Sequence, residues 1–153
     1  MRFDLSDEAK GEWFKFFLVT VKEDGERVFH KPEEDAGRVC LRPASREIIA
    51  EAESKTMKKV SEFVLNPKTK EMERVVYYDQ TPEQKKQENE MLWDYTIVDW
   101  ENLLDKEGNQ IPCTRDNKIK LMNVLMFARF INRCLEILSG AEDNKEEQER
   151  KNS

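Results

Sequence analysis

The segment from Met91 to Asn117, MLWDYTIVDWENLLDKEGNQIPCTRDN, constrains the fold more than any other part of the chain. It runs an aromatic-rich apolar row into a Gly-Asn loop and then into a helix start signal. Met91, Tyr95 and Val98 fall on one row at helical spacing, and Trp93, Ile97, Trp100 and Leu104 on another. The spacing predicts a helix from Pro82 to about Leu104, with Thr81 as N-cap, Pro82 at the first helical position and Glu83 facing the positive dipole end. Gln84 to Glu90 is wholly polar, so only the second half of this helix is expected to enter a core. Asp105-Lys106-Glu107-Gly108-Asn109 breaks it, Ile111-Pro112-Cys113 is a short extended piece, and Thr114 caps the next helix. That helix keeps an apolar period through Leu121, Val124, Leu125, Ala128, Ile131, Leu135 and Leu138, with any bend near Met126-Phe127 and a stop at Gly140. Trp93, Trp100 and Thr114 are expected to hold the two long helices in register.

The first half of the chain reads differently. Ser6-Asp7-Glu8 offers a cap for a short turn, and the β-rich run Trp13 to Val21 reads as one strand. A turn at Asp24-Gly25 returns the chain through Arg27 to His30, and Arg38 to Arg42 is a further short strand, so an N-terminal sheet of about three strands is predicted. A weakly amphipathic helix follows from about Arg46 to Lys59. Val60 to Leu65 and Met72 to Tyr78 then form a second hairpin around Asn66-Pro67-Lys68-Thr69-Lys70. The fold class expected is α+β: small N-terminal antiparallel strands and hairpins, then a C-terminal bundle of three to four helices. A length of 153 residues suits one domain over 1–140, strand-rich over 10–78 and helical over 81–140. Residues 141–153 carry eight charges and no large apolar side chain, the composition of a disordered tail.

A formal net charge of -6 weighs against broad nucleic-acid binding, which needs a surplus of Lys and Arg on some face. From Arg38 to Arg74 the balance is locally basic, nine cations against six acids, and mixed-sign charge of this kind normally forms a solvated surface. Cys40, Cys113 and Cys134 are odd in number and far apart, as expected of reduced, packed thiols. The chain opens without an apolar signal segment and holds no run of about 18 apolar residues, so a cytoplasmic protein with no membrane contact is expected.

Catalytic and metal-binding patterns are weak. His30 is the single histidine, at a strand end beside Lys31-Pro32, with no nucleophile motif to pair with. The cysteines lack the close Cys pair of a structural zinc site. The Asp105 to Asn109 loop lacks the alternating ligands and final glutamate of a calcium loop. The helix carboxylates lack a Glu-x-x-His pair, and no Gly-rich phosphate loop occurs. Neither an enzyme nor a cofactor is predicted. Binding fits better, through Phe127, Phe130, Ile131 and Leu135 on the last helix as a partner-facing edge.

The string Asp99-Trp100-Glu101-Asn102-Leu103-Leu104-Asp105, continuing through Gly108-Asn109-Gln110-Ile111-Pro112-Cys113-Thr114 to Asn117-Lys118, with Phe127-Ala128-Arg129-Phe130-Ile131 after it, resembles small proteins of bacteriophage and prophage tail gene clusters, namely tail assembly chaperones. The resemblance extends over about Val60 to Gly140. It implies a non-enzymatic protein of the bacterial cytoplasm that binds a long helical tape measure protein, keeps it soluble and helps tail tube proteins assemble on it. Two alternatives remain at this level: a virion component such as a head-tail joining or tail completion protein, and a small regulatory nucleic-acid binder using Arg38 to Arg74.

Overall fold

A computed structural model describes the backbone of residues 10–151 and the side chains as far as Gly140. The cap predicted at Ser6-Asp7-Glu8 lies outside the described residues. In chain order the elements are β1 (Glu12–Lys15), β2 (Val19–Val21), β3 (Arg27–Phe29), β4 (Arg38–Leu41), α1 (Arg46–Thr56), β5 (Lys58–Leu65), β6 (Met72–Asp79), α2 (Pro82–Thr96), β7 (Ile97–Glu101), α3 (Arg115–Met122) and α4 (Leu125–Lys151). The fold is α+β with small antiparallel sheets. Two consecutive helices close the chain, while α1 and α2 are interleaved with strands. Contacts group into two compact units: the chain to Ala44 with the chain from Trp93 onward, and Ser45–Leu92 between them. None of the described helices is long and apolar enough to cross a membrane.

The first unit is built on a three-stranded antiparallel sheet in the order β1-β4-β7. Here the predicted helix to Leu104 is corrected: α2 stops at Thr96 and the chain turns into β7. Thr96, Ile97 and Val98 are three β-branched residues in succession, which suit a pleated surface better than a helix. Val39 pairs with Trp100 and Cys40 with Asp99, but Leu41 pairs with Ile97, so Val98 is an extra residue in a bulge. The bulge brings Ile97 and Trp100 to the same face although they are three apart. Their i, i+3 spacing therefore mimics a helical row, and this is why the periodicity misleads.

The run Trp13 to Val21 is also not one strand. After Lys15 the Phe16 N–H still donates to the Gly37 carbonyl at 2.8 Å, and then the chain leaves the sheet. Phe16 and Phe17 turn inward, each ring edge-on to Phe130 at 5.0 Å. β2 then pairs with β3 in a separate hairpin. The core joins Val39, Leu41 and Ile97 of the sheet to Phe130, Ile131 and Cys134 of α4, all fully buried.

The last helix is interrupted at Asn123–Val124, ahead of the expected bend at Met126-Phe127. Asn123 ends α3 by donating its side-chain amide to the Ile119 carbonyl at 3.0 Å, a local bond that competes with helix continuation. In contrast, α4 runs through Gly140, where a stop was expected, to Lys151. A helical glycine costs only about 1 kcal/mol against alanine, which a long helix tolerates. The side chains of the charged tail expected over 141–153 lie outside the described residues.

In the second unit Ser45 caps α1, its Oγ accepting from the Ile48 N–H at 3.3 Å, and α1 ends at Thr56, three residues before the predicted boundary. β5 and β6 pair in full register from Lys58 with Asp79 to Leu65 with Met72. Asn66 shapes the turn by accepting the Lys68 N–H at 2.9 Å. Thr81 and Gln84 form a reciprocal capping box: the Gln84 N–H donates to Thr81 Oγ1 at 3.1 Å, and the Thr81 N–H to Gln84 Oε1 at 2.8 Å. The polar first turns of α2 include buried Glu88, whose carboxylate accepts from Gln80, which also donates to Thr56 Oγ1 at 3.1 Å.

Candidate protein-binding site

Beyond β7 the chain is locked residue by residue. Asn102 takes a left-handed conformation at φ 58°, and its side-chain amide donates to the Asp35 carbonyl at 2.9 Å. Gly37 lies directly against this corner, where a Cβ would come within 2.6 Å of both the Asn102 carbonyl and the Leu103 side chain. The Ile111 N–H returns to the Leu103 carbonyl at 2.8 Å, and the Trp100 indole donates to the Ile111 carbonyl at 2.6 Å. Asp105 Oδ1 accepts the N–H groups of Glu107 and Asn109, each at 2.9 Å, so the Gly-Asn loop is a self-satisfied turn. Thr114 caps α3, accepting from the Asn117 N–H at 3.3 Å. Lys118, nearly buried, donates to the Asp94 carbonyl at 3.0 Å and to its carboxylate at 3.1 Å, tying α3 to the end of α2.

This frame encloses a pocket of about 460 Å³ whose apolar walls are Phe16, Leu103, Ile111, Leu121, Val124 and Phe127. Asp35 and Asn102 are the polar groups at its edge. Because the helix is interrupted at Asn123, Val124 and Met126 turn partly outward and, with Leu104 and Leu125, leave an apolar rim in water; Leu125 is 62% exposed. A second pocket of similar volume shares Phe16 and Met126 as walls and ends in His30, Lys31 and Glu33. The two pockets therefore adjoin. Such a surface can take apolar side chains from a partner.

The four residues expected to face a partner are not together on the surface. Phe127 lines the pocket and meets Trp100 edge-on at 6.4 Å. Phe130 and Ile131 are fully buried, and Leu135 packs half-buried against the same core. This corrects the expectation, for a physical reason: they occupy the inner stripe of α4, which the sheet and Phe16-Phe17 cover. Sequence reasoning misses the other pocket walls as binding residues: it reads Phe16 as strand, Ile111 as a short extended piece, Leu121 and Val124 as helix core, and gives Leu103 and Met126 no packing role. A signal was present in Val124-Leu125-Met126-Phe127, since four consecutive apolar residues cannot all lie on one buried helical stripe. Trp100, expected to hold two helices in register, instead does its packing from β7.

Other candidates are occupied by structure. His30 Nε2 lies 2.9 Å from Thr20 Oγ1 at the hairpin end. Arg38 pairs with Glu101 and sits over the Trp13 ring at 5.2 Å, and Arg42 stacks on Tyr95 at 3.8 Å while donating to its carbonyl. Arg27 pairs with Glu136 at 2.8 Å and, as its main effect there, holds that carboxyl below its ordinary range. The three cysteines are free. Burial pushes all three thiols up, and Cys134 to about 12. Among the described residues no group of three or more His, Cys, Asp or Glu is placed to hold a metal ion. No family model, curated protein or solved structure shows significant similarity to the chain.

Proposed function

We propose that this chain is a non-enzymatic tail assembly protein of phage or prophage type, acting as a chaperone that shields apolar side chains of a helical tape measure partner. One observation carries the reading: an apolar pocket with an apolar rim, built where α3 and α4 are interrupted and adjoining a second pocket. A helix presents side chains at i, i+3, i+4 and i+7, so neighbouring pockets suit successive anchors on one helical face. Burying each leucine-sized anchor is worth about 1.5–3 kcal/mol, enough for reversible holding by two or three of them. The resemblance over Asp99 to Lys118 and Phe127 to Ile131 suggests the kind of partner, and the pocket is the surface that would suit it. Co-expression with the tape measure protein of the same tail cluster tests it. The wild-type chain raises the soluble fraction of that partner, whereas Val124→Asp with Met126→Asp does not. Equal solubility without the chain, or with the variant, would overturn the proposal.

A further inference from the structure

The β5-β6 hairpin has two unlike faces. Alternation along the paired strands puts Phe63, Leu65, Met72, Val76 and Tyr78 on one face, with Lys59 and Arg74 as its charges. The opposite face carries Val64, Val75 and Tyr77 among Glu62, Glu73 and Asp79, with Lys58 as its one cation. Both faces are open to water: Phe63 is 69% and Tyr78 68% exposed on the first, Val64 46% and Tyr77 40% on the second.

Lys58 and Asp79 face each other across the strands on the second face, while the other charges of the hairpin have no ion partner among the described residues. Among the described residues neither Lys59 nor Arg74 forms an ion pair; Arg74 donates to the neutral Ser61 hydroxyl at 2.8 Å. Glu53 of α1 lines a small pocket with Lys59 and Tyr78 at the base of the hairpin, which leaves Arg74 and Phe63, nearer the turn, the freest part of that face. Across the sheet Glu62 accepts from the Tyr77 hydroxyl at 2.9 Å and Glu73 from the Asn66 amide at 2.7 Å, both neutral donors.

A two-stranded sheet wet on both faces is marginal by itself and gains from a further layer. We propose that copies of this chain associate through the hairpin, the face of Lys59 and Arg74 in one copy stacking on the face of Glu62 and Glu73 in the next. Stacking like faces would set cation on cation or carboxylate on carboxylate, whereas unlike faces bring opposite charges together around apolar centres. The second copy is the occupant because every copy carries both complementary faces on one element. Such a contact is head-to-tail, so it grows into a ring or an open array instead of stopping at a symmetric dimer.

Light scattering with chromatography of the full chain, over a wide concentration range and at low and high salt, reads this out. Wild type is expected to gain mass with concentration and to lose association at high salt. Two reversed variants, Lys59→Glu with Arg74→Glu and Glu62→Lys with Glu73→Lys, each stay at the mass of one chain. Mixed in equal amounts they regain association and again gain mass with concentration, because one variant then has two acidic faces and the other two basic ones, and both contacts are restored in an alternating array. That mixing arm also reports folding, since a misfolded variant cannot complement. A wild type that stays at one-chain mass, reversed variants that associate like wild type, or a mixture that stays at one-chain mass would each overturn the proposal.

Discussion

Phe130→Ala is the sharpest test of how the first unit is held together. Phe130 is fully buried at the centre of the core and meets Phe16 and Phe17 edge-on, each at 5.0 Å, so its ring joins α4 to the segment that leaves the sheet after β1. Truncating a buried phenylalanine costs about 3–5 kcal/mol in transfer and cavity terms. Two edge-on aromatic contacts, at about 0.5–1.5 kcal/mol each, place this site in the upper part of that range, at about 4–5 kcal/mol. With a urea slope of about 1.5–2 kcal/mol/M the midpoint should fall by about 2–3 M. Trp13, Trp93 and Trp100 are the only tryptophans and all belong to the first unit, so tryptophan fluorescence follows that unit alone. A midpoint shift below about 0.5 M would refute the placement of Phe130 in the core and return it to the role of a surface contact.

Gly37→Ala should destabilise the same unit by about 1–3 kcal/mol, because its Cβ would meet the Asn102 carbonyl, which is backbone and cannot swing away; a urea midpoint unchanged from wild type would contradict the tight corner. Cys134 should resist a thiol reagent in the folded protein and react when the first unit is unfolded by urea, as mass spectrometry of labelled peptides would show. Its raised pKa also sets a pH dependence. Below pH 9.0 the thiol is neutral folded and unfolded, so its contribution is fully present; between 9.0 and about 12 the unfolded chain ionises first and that contribution is progressively lost. Replacing Cys134 with serine or alanine should flatten this alkaline loss in urea titrations; an identical slope would count against it.

Much of the fold was legible in local chemistry. The Thr81-Pro82-Gln84 cap, the Asn66 turn and the Ser45 and Thr114 caps are side-chain to backbone bonds within a few residues, so the residues themselves specify them. β7 was not legible, because a bulge at Val98 converts strand alternation into a helix-like i, i+3 spacing and only the pairing with β4 reveals it. The pocket was half legible: Phe127 belongs to it, but Phe130 and Ile131 could not be told from surface residues until the sheet that covers them was placed. The apolar runs of the second hairpin announced two strands, yet their exposure on both faces depends on which neighbours are absent, and no local pattern encodes that.

The claim that this chain shields an apolar helical partner at the α3-α4 interruption is tested most directly by the soluble fraction of a co-expressed tape measure protein. The account predicts that wild type raises it several-fold and that Val124→Asp with Met126→Asp, still folded by tryptophan fluorescence, returns it to the level of the partner expressed alone. A folded double variant that keeps the partner as soluble as wild type does would contradict it.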